Sequence, residues 1–371
     1  MQSDLVYKMA FSFLKGINAP LLREIYERKV DAEEFFRISS RELMQKLRIT
    51  DNPIIEKLRR EEALSASYKE LEIVRRHNIM PLFLLDDNYP ERLAEIEDAP
   101  IILYCLGNPN IENEHNISVV GTRRPTPYAI DFTNKLIKDL SEYFPDLCVI
   151  SGLAYGVDAQ SHKKALENKV KTVAVVAHGL NMIYPASHRD LARNIIRAGG
   201  AIVSEYPFGV NPYKPHFLAR NRIVAALSDV TVVVESAIKG GAISTANFAF
   251  SYSREVMALP GRITDENSSG CNLLIRKQKA SLISNAADLI ETTGWQPLNL
   301  NINPRQRNLF PELEGDFKII YELLKFSNEP LQADKICNLA NLSASTVLSV
   351  LGELEFDGIV IRHPGNRFSI A

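Results

Sequence analysis

Closely spaced cysteines are missing from this sequence. Its four cysteines lie far apart without a CxxC pair: Cys105, Cys148, Cys271 and Cys337. We therefore interpret them as reduced, buried thiols, not as a disulfide framework or a zinc site. The seven histidines show no HExxH or similar spacing of metal ligands. We expect no bound metal.

An excess of positive charge is also missing, because the formal net charge is −2. If the protein binds nucleic acid, its basic residues must be concentrated locally.

The longest apolar runs have the length of strands and are too short to span a bilayer. The N-terminus lacks the basic and then apolar pattern of a signal peptide. We expect a cytoplasmic protein without a membrane partner, and a chain of 371 residues predicts two or three domains.

The first two segments differ in hydrophobic period. Residues 1–75 have apolar residues at helical spacing and predict a small helical domain. From about 115 to 292, apolar runs such as "VKTVAVVA" and "VTVVVE" alternate with helical stretches, and we assign 76–292 to one domain. Runs that are apolar throughout must be covered on both faces, so they predict an α/β fold with a parallel sheet. The predicted helices start near Thr126, Asp158, Ser187, Leu218 and Ser244.

The C-terminal part has a different organisation. Residues 293–315 lose periodicity and gain Asn and Pro, which indicates a linker. Residues 316–371 predict three short helices and two strands around a Pro-Gly turn, the order of a winged helix. This segment has five Lys or Arg against seven Asp or Glu, and its predicted recognition helix, "SASTVLSVLGELEFDG", has neither Lys nor Arg. Because duplex binding needs several phosphate contacts, the module better suits protein partners or weak DNA contact.

The loop "VVGTRRPTPY" joins a strand end to a helix start. Thr126 can cap that helix and Pro127 can occupy its first position, so free amides point towards Thr122 and Arg123. Amides together with a guanidinium predict a site for a phosphate or a carboxylate. The alternative is a surface arginine that closes a tight turn. The sequence has neither a dinucleotide fingerprint nor a Walker-type loop, so we expect no nucleotide cofactor.

A second glycine-containing loop, "SGLAYGVDAQSH", follows the next strand. Gly152 and Gly156 allow the backbone to approach a ligand, and Ser151 supplies a hydroxyl. Asp158 is expected to cap its helix. Asp158 and His162 share a helix face but have no nucleophile beside them, so we interpret them as an exposed helical pair.

A third loop, "KGGAISTANFAF", offers another anion site. Gly240 and Gly241 are expected to form a tight turn, and Ser244 and Thr245 to cap the following helix. A second phosphate can bind to the amides of this helix start.

The stretch "PYKPHFLARNRIVAAL" concentrates cations, an amide and aromatic rings: Tyr213, Lys214, Phe217, Arg220, Asn221 and Arg222. Cations bind backbone phosphates and an aromatic face stacks a base, which is what single-strand binding requires. Phe217 can instead be the first core residue of its helix. The sequence leaves both interpretations open, although the cations three residues before and after Phe217 favour stacking.

These loops, in this order, resemble the DNA-processing protein A family, also called Smf. The motifs "VVGTRRPTPY", "SGLAYGVDAQSH", "GLNMIYP", "SEYPFG", "FLARNRIVAALS", "GGAISTANFA" and "ALPGR…GCNLLI" carry the resemblance over roughly residues 80–290. It implies an extended Rossmann-like domain with a parallel sheet, a helical domain like a sterile alpha motif before it, and a winged-helix domain after it.

The resemblance also implies a function, that of a single-stranded DNA-binding recombination mediator in natural transformation. Such proteins protect incoming single strands, load the RecA recombinase and commonly form dimers through the Rossmann-like domain. Neither enzymatic activity nor a cofactor is implied. The family's DNA-binding positions fall on Gly121, Thr122, Arg123, Lys214, Phe217, Arg220, Asn221, Arg222, Gly240, Gly241, Ser244 and Thr245. From their loop we add Ser151 and Gly152 as candidate contacts.

A Rossmann-like domain followed by a winged helix is also compatible with two other functions. A Rossmann-like nucleotide hydrolase uses a glutamate after its glycine-threonine loop, but the stretch from Ala246 to Phe250 is uncharged. A nucleotide-sensing winged-helix regulator would need duplex contacts for which residues 316–371 are poorly charged. Both are therefore disfavoured.

Overall fold

A computed structural model of the chain describes residues 2–48, 57–297, 315–325, 327, 330–356, 359–363 and 367–370. The chain forms two compact units, Met1–Leu298 and Asn299–Ala371. Most of the predicted linker and the predicted Pro-Gly turn at 364–365 lie outside the described residues. Within the described ranges, no helix is both long enough and apolar enough to cross a bilayer.

The first unit begins with five described helices, three of which start at capping side chains. The described helices are α1 (Gln2–Ala10), α2 (Ala19–Glu27), α3 (Ala32–Arg37), α4 (Ser40–Leu47) and α5 (Arg60–Arg76). Asn18 and Asp31 each accept a backbone N–H of the helix that follows, and Ser39 forms a capping box with Glu42. These caps satisfy amides that have no partner within their helices.

Nine described strands form one sheet in the order β1-β2-β6-β5-β4-β3-β7-β8-β9. They are β1 (Ile79–Phe83), β2 (Ile102–Gly107), β3 (Asn116–Gly121), β4 (Cys148–Ser151), β5 (Lys171–Val175), β6 (Ala201–Ser204), β7 (Val230–Val234), β8 (Glu255–Ala258) and β9 (Ser281–Leu282). The β1–β2 and β2–β6 pairs are antiparallel, and the other pairs are parallel. The predicted α/β class with a mostly parallel sheet is confirmed.

Helices cover both faces of this sheet. They are α6 (Glu91–Ala94), α7 (Pro127–Tyr143), α8 (Val157–Glu167), α9 (Arg189–Arg197), α10 (Lys214–Ala226), α11 (Gly241–Ser251), α12 (Ser269–Arg276) and α13 (Ala286–Thr293). Successive side chains of a strand point to opposite faces. Accordingly Val232 joins the hydrophobic cluster of α7 and α13, and Val233 joins that of α10 and α11.

The N-terminal helices share a core with the sheet. Residues of α1 to α5 and of β1, β2 and β6 belong to one hydrophobic cluster, and the ring of Phe11 lies 6.5 Å from that of Phe83 in β1. The carboxylate of Glu70 in α5 also accepts the backbone N–H of Phe208, at 2.7 Å, in the loop after β6. The structure therefore does not separate the segments predicted as 1–75 and 76–292 into two compact units.

The strand order reverses at β3, which has β4 on one side and β7 on the other. Ligands of such sheets bind beyond the carboxyl ends of the strands at this switch point. The loops that follow β3, β4 and β7 meet there, together with the starts of α10 and α11.

Two helices at this edge start earlier than predicted. The helix predicted near Leu218 begins at Lys214, because Pro215 is tolerated in a first turn, where no amide partner is lost. The helix predicted near Ser244 begins at Gly241, with Gly240 as its N-cap. Residues 214–217 and 241–243 are therefore helical, where the sequence predicted loops.

The second unit is a winged helix, as predicted. Its described elements are α14 (Gly315–Lys325), β10 (Leu331–Gln332), α15 (Ala333–Ala340), α16 (Ala344–Phe356), β11 (Val360–His363) and β12 (Arg367–Ile370). The strands form a sheet in the order β10-β12-β11, and Ile336, Leu351 and Phe368 belong to its core. Helix α16 corresponds to the predicted recognition helix.

Candidate nucleic-acid interface

The loop after β3 already holds an anion, which is a side chain of the protein. The carboxylate of Glu235, at the end of β7, accepts the backbone N–H of Thr126 at 3.0 Å and also its hydroxyl. The amide of Thr122 donates to the carbonyl of Glu235 at 2.7 Å. Glu235 is 3% exposed. The amides of Thr122 and Thr126 are therefore engaged within the fold, which argues against the predicted phosphate contact at Thr122.

Arg123 remains available in this loop. Its side chain is exposed and has no ion pair with any carboxylate in the part of the chain that the structure describes. Gly156 packs directly under its backbone, since a Cβ at Gly156 would lie 2.2 Å from the carbonyl oxygen of Thr122, and its φ is +80°. A side chain at this position would displace the loop, so Gly156 helps to present Arg123.

The loop after β4 faces inward. Ser151 is buried and donates its hydroxyl to the carbonyl of Val119 at 2.7 Å. The amide of Gly152 donates to a carboxylate oxygen of Asp158 at 3.1 Å. Neither of the groups that we predicted as DNA contacts here, the Ser151 hydroxyl and the Gly152 backbone, is free for a ligand.

Asp158 and His162 are buried, so the prediction of an exposed pair is wrong. The N-cap of α8 is Gly156, and Asp158 instead binds the amides of the preceding loop. Burial raises the pKa of the Asp158 carboxyl, although the charge of Arg220 opposes that rise. Burial lowers the pKa of His162 to about 3, so this imidazole is neutral, with Nδ1 2.6 Å from the hydroxyl of Thr172.

Arg220 supports this loop from below. Its guanidinium donates to the carbonyl of Gly152 at 2.7 Å and to that of Val175, and the residue is 5% exposed. A Cβ at Gly152 would lie 2.3 Å from the guanidinium, so this glycine leaves the space that Arg220 fills. Burial lowers the pKa of Arg220 and the charge of Asp158 opposes that shift. This placement does not fit the predicted phosphate contact.

The two residues after Arg220 point to other neighbours. Arg222 donates to the carboxylate of Glu205 at 2.6 Å and lies 3.4 Å from that of Asp98, with 14% of its side chain exposed. Asn221 donates its side-chain amide to the carbonyl of Gly241 at 3.3 Å. Of these three predicted DNA contacts, Arg220 and Arg222 therefore have structural roles, whereas Asn221 lies at the surface beside the start of α11. Arg222, like Arg220, does not fit a direct DNA contact.

The outer face of α10 carries the residues that remain accessible. Lys214, Phe217 and Asn221 are spaced three and four residues apart, which places them on one side of the helix. Lys214 is exposed and pairs with no carboxylate in the described ranges. Phe217 is half-buried and belongs to none of the hydrophobic clusters of the described residues. Its ring lies 5.7 Å from the exposed ring of Tyr184, so the structure argues against the core interpretation.

The start of α11 continues this face. Gly240 must be small, because a Cβ there would lie 2.2 Å from the hydroxyl oxygen of Ser236. Ser244 and Thr245 lie inside the helix, and Thr245 is 2% exposed, so the prediction that they cap it is wrong. The first amides of a helix have no acceptor within it. The exposed backbone of Gly241, next to Asn221, is therefore the part of this loop that best suits an anion.

Sequence reasoning missed two residues that shape the site, Glu235 and Tyr184. Glu235 directly follows "VTVVV", and an acid at the end of a buried strand is a signal of a polar role at the ligand edge. Tyr184 lies in "GLNMIYP", and nothing in this motif predicts which residues its ring contacts. Its proximity to Phe217 depends on tertiary structure.

An acidic cleft lies between the start of α7 and the loop after β8. It has a volume of about 1010 Å³ and is lined by the acids Glu235, Asp265 and Glu266 against a single cation, Arg262. A phosphate backbone is repelled by such a lining. A nucleic acid therefore fits the side of Lys214 and Gly241 better than this cleft.

One described group of residues could hold a metal ion, namely Glu114, His115 and Asp146. These residues precede β3 and β4, at the amino edge of the sheet and opposite the candidate interface. Nδ1 of His115 lies 2.9 Å from both oxygens of the Asp146 carboxylate. The group is thus no part of the interface, and the absence of a metal stays a prediction.

A mostly parallel, doubly wound sheet followed by a winged helix defines a protein with a Rossmann-like domain and a winged-helix domain. The sequence matches the family model of DNA recombination-mediator protein A over residues 81–294, and that of the DprA winged helix domain over 306–366. The chain belongs to the DNA recombination-mediator protein A family, and the predicted DprA/Smf resemblance is confirmed.

The similarity to these two relatives covers between about half and nearly all of the chain. Protein Smf of Synechocystis sp. is 31% identical over 99% of this chain and 98% of its own length. DNA processing protein DprA of Streptococcus pneumoniae is 37% identical over 56% of this chain and 72% of its own length. The chain is thus similar to DNA-processing proteins.

Two solved structures are also similar. The X-ray structure of Streptococcus pneumoniae DNA processing protein A has a TM-score of 0.63 at 30% identity and covers 77% of this chain and 96% of its own. DNA processing protein A of Helicobacter pylori has a TM-score of 0.51 at 34% identity and covers 58% and 94%, respectively. The latter structure is described as giving insight into that protein's unique single-stranded DNA binding mode.

Proposed function

We propose that this protein binds single-stranded DNA along the outer face of α10 and the start of α11. The observation that carries this proposal is the alignment of Lys214, Phe217, Asn221 and Gly241 on one accessible surface. A cation and helix amides suit backbone phosphates, and an aromatic ring suits an unstacked base. The single-strand binding described for the Helicobacter pylori relative supports the same ligand.

The site favours single strands because its aromatic ring needs an unpaired base. Bases of a duplex are stacked inside it, whereas those of a single strand are free to stack on Phe217. Duplex reading by α16 is disfavoured, since this helix has no Lys or Arg. Binding is expected to be independent of sequence, because stacking and phosphate contacts do not distinguish base edges.

We further propose a role as a recombination mediator in natural transformation. The family description, DNA recombination-mediator protein A, supports it. In this role the protein forms a dimer, protects incoming strands in the cytoplasm and loads the RecA recombinase onto them. It acts by binding and not as an enzyme: the stretch after Thr245 has no acid, and the carboxylate of Glu235 is held by Thr126.

The purified protein is expected to shift a single-stranded oligonucleotide at a lower concentration than a duplex of equal length. RecA added afterwards is expected to form filaments sooner on the protein-bound strand than on naked DNA. Gel shifts with both oligonucleotides, followed by a RecA filament assay, measure the two effects. Equal affinity for both forms would contradict the single-strand site. An unchanged RecA lag would contradict only the mediator role.

Arg123 is expected to contribute one phosphate contact through its side chain. Arg123→Ala should weaken binding equally for oligonucleotides of different sequence and reduce the slope of log affinity against log salt by about 0.7. Fluorescence anisotropy titrations at several salt concentrations measure both quantities. Arg193→Ala is a matched control, because Arg193 is also exposed but lies on α9, where it pairs with Asp190. An unchanged slope for Arg123→Ala would remove Arg123 from the interface.

A further inference from the structure

A second group of aromatic rings lies at the start of α10. The ring of His216 stacks on that of Tyr206, with centroids 4.2 Å apart and an interplanar angle of 24°. Tyr213 meets His216 edge to face at 5.4 Å. Tyr213 is 62% exposed, the largest exposed fraction among the aromatic residues of the described part of the chain. The three rings therefore form one contiguous group that extends from the fold to solvent.

The inner rings of this group are held in place. Tyr206 follows Glu205, whose carboxylate accepts the guanidinium of Arg222 at 2.6 Å. The backbone amide of Tyr206 also donates to the hydroxyl of Ser204 at 3.1 Å. Arg222 thus fixes the segment that carries Tyr206, which gives it a positioning role in place of a phosphate contact.

Lys214 lies between Tyr213 and Phe217 along the chain. Tyr213 precedes the lysine directly, and Phe217 follows it within the first turn of α10. The two aromatic groups have different partners, because Phe217 pairs with Tyr184 and Tyr213 pairs with His216. A phosphate bound to Lys214 would therefore have an aromatic ring available for the base on either side of it.

We propose that Tyr213, supported by His216 and Tyr206, is a second stacking surface for an unpaired nucleobase. This inference rests on the proposed single-strand binding and adds a separate subsite to it. An exposed ring on a fixed support loses little conformational entropy when a base stacks on it. The ligand class is any base with a free face, purine or pyrimidine, and the contact is made by the ring and not by the tyrosine hydroxyl.

The test compares Tyr213 variants of the full chain by anisotropy with a fluorescent oligo(dT). Tyr213→Ala should weaken binding by about 5- to 150-fold with an unchanged salt slope, because one stacked base is lost and no phosphate contact. Tyr213→Phe should bind within about twofold of the wild type, since it keeps the ring. Tyr68→Ala is the matched control: Tyr68 is 54% exposed but lies on α5.

An abasic oligonucleotide of the same length identifies the base as the partner. On this ligand, Tyr213→Ala should bind as well as the wild type, because no base is present to stack. Wild-type affinity of Tyr213→Ala for oligo(dT), or an equal loss in Tyr213→Phe, would overturn the inference. In those cases Phe217→Ala would still weaken binding if the proposed function holds. Failure of the wild type to bind oligo(dT) would instead overturn the proposed function itself.

Discussion

Arg220→Ala is expected to lower the free energy of unfolding by about 3–5 kcal/mol. The substitution removes the donors to the carbonyls of Gly152 and Val175 and leaves the buried carboxyl of Asp158 without its compensating charge. Urea unfolding at neutral pH, followed by circular dichroism, measures the change. Because Gly156 in the loop that Arg220 positions helps to present Arg123, DNA affinity should also fall in the folded fraction.

Two further variants define the role of Arg220. Arg220→Lys keeps the charge but not the two-pronged donor geometry, so it should recover part of the lost stability. Arg193→Ala is the control, since this arginine is exposed on α9 and pairs with Asp190, so its removal should leave the stability nearly unchanged. A stable Arg220→Ala variant that has lost DNA binding with a smaller salt slope would show instead that Arg220 contacts a phosphate.

Phe217→Ala is expected to weaken single-strand binding by about 1–3 kcal/mol, or roughly 5- to 150-fold. The melting temperature should barely move, because Phe217 packs in none of the hydrophobic clusters of the described residues. The salt slope should also stay unchanged, since no phosphate contact is lost. Anisotropy titrations and thermal unfolding of the same preparation measure the three quantities.

Replacement of the neighbouring Lys214 should affect the salt dependence of binding, which replacement of Phe217 should not. Lys214→Ala should lose affinity and reduce the salt slope by about 0.7, because it removes a phosphate contact but no stacking surface. A large fall in the melting temperature of Phe217→Ala, with full affinity in the folded fraction, would return Phe217 to the core. Core truncations of phenylalanine typically cost about 3–5 kcal/mol of stability, which this measurement would detect.

The sheet and the winged helix were predictable because their signals are local. Runs such as "VTVVV" contain only Val and Thr, and a β-branched run without charge is typical of a strand buried on both faces. The helix starts at Lys214 and Gly241 were missed because Pro215 and Gly240 also suit turns. The shared core of α1 to α5 and the sheet depends on contacts such as Phe11 with Phe83, which sequence spacing does not specify.

The composition of the candidate site was predictable, but the direction of its side chains was not. Arg220, Asn221 and Arg222 are neighbours in sequence, yet they face the loop after β4, the start of α11 and the acids near β6, respectively. A helix turns about 100° per residue, so adjacent positions have different surroundings. Which arginine is buried depends on the space that Gly152 leaves, and that space exists only in the folded protein.

The strand order also determines when each strand can find its partners during translation. Central strand β3 pairs with β7, where Ile117 lies beside Val230, and β2 pairs with β6, where Tyr104 lies beside Ser204. Strands so distant in sequence pair slowly, because the long segment between them must be ordered before the contacts between the strands form. On the ribosome, β3 has only one neighbour until β7 has emerged. Asn221 and Gly241 therefore come together only late in translation, after most of the sheet has formed.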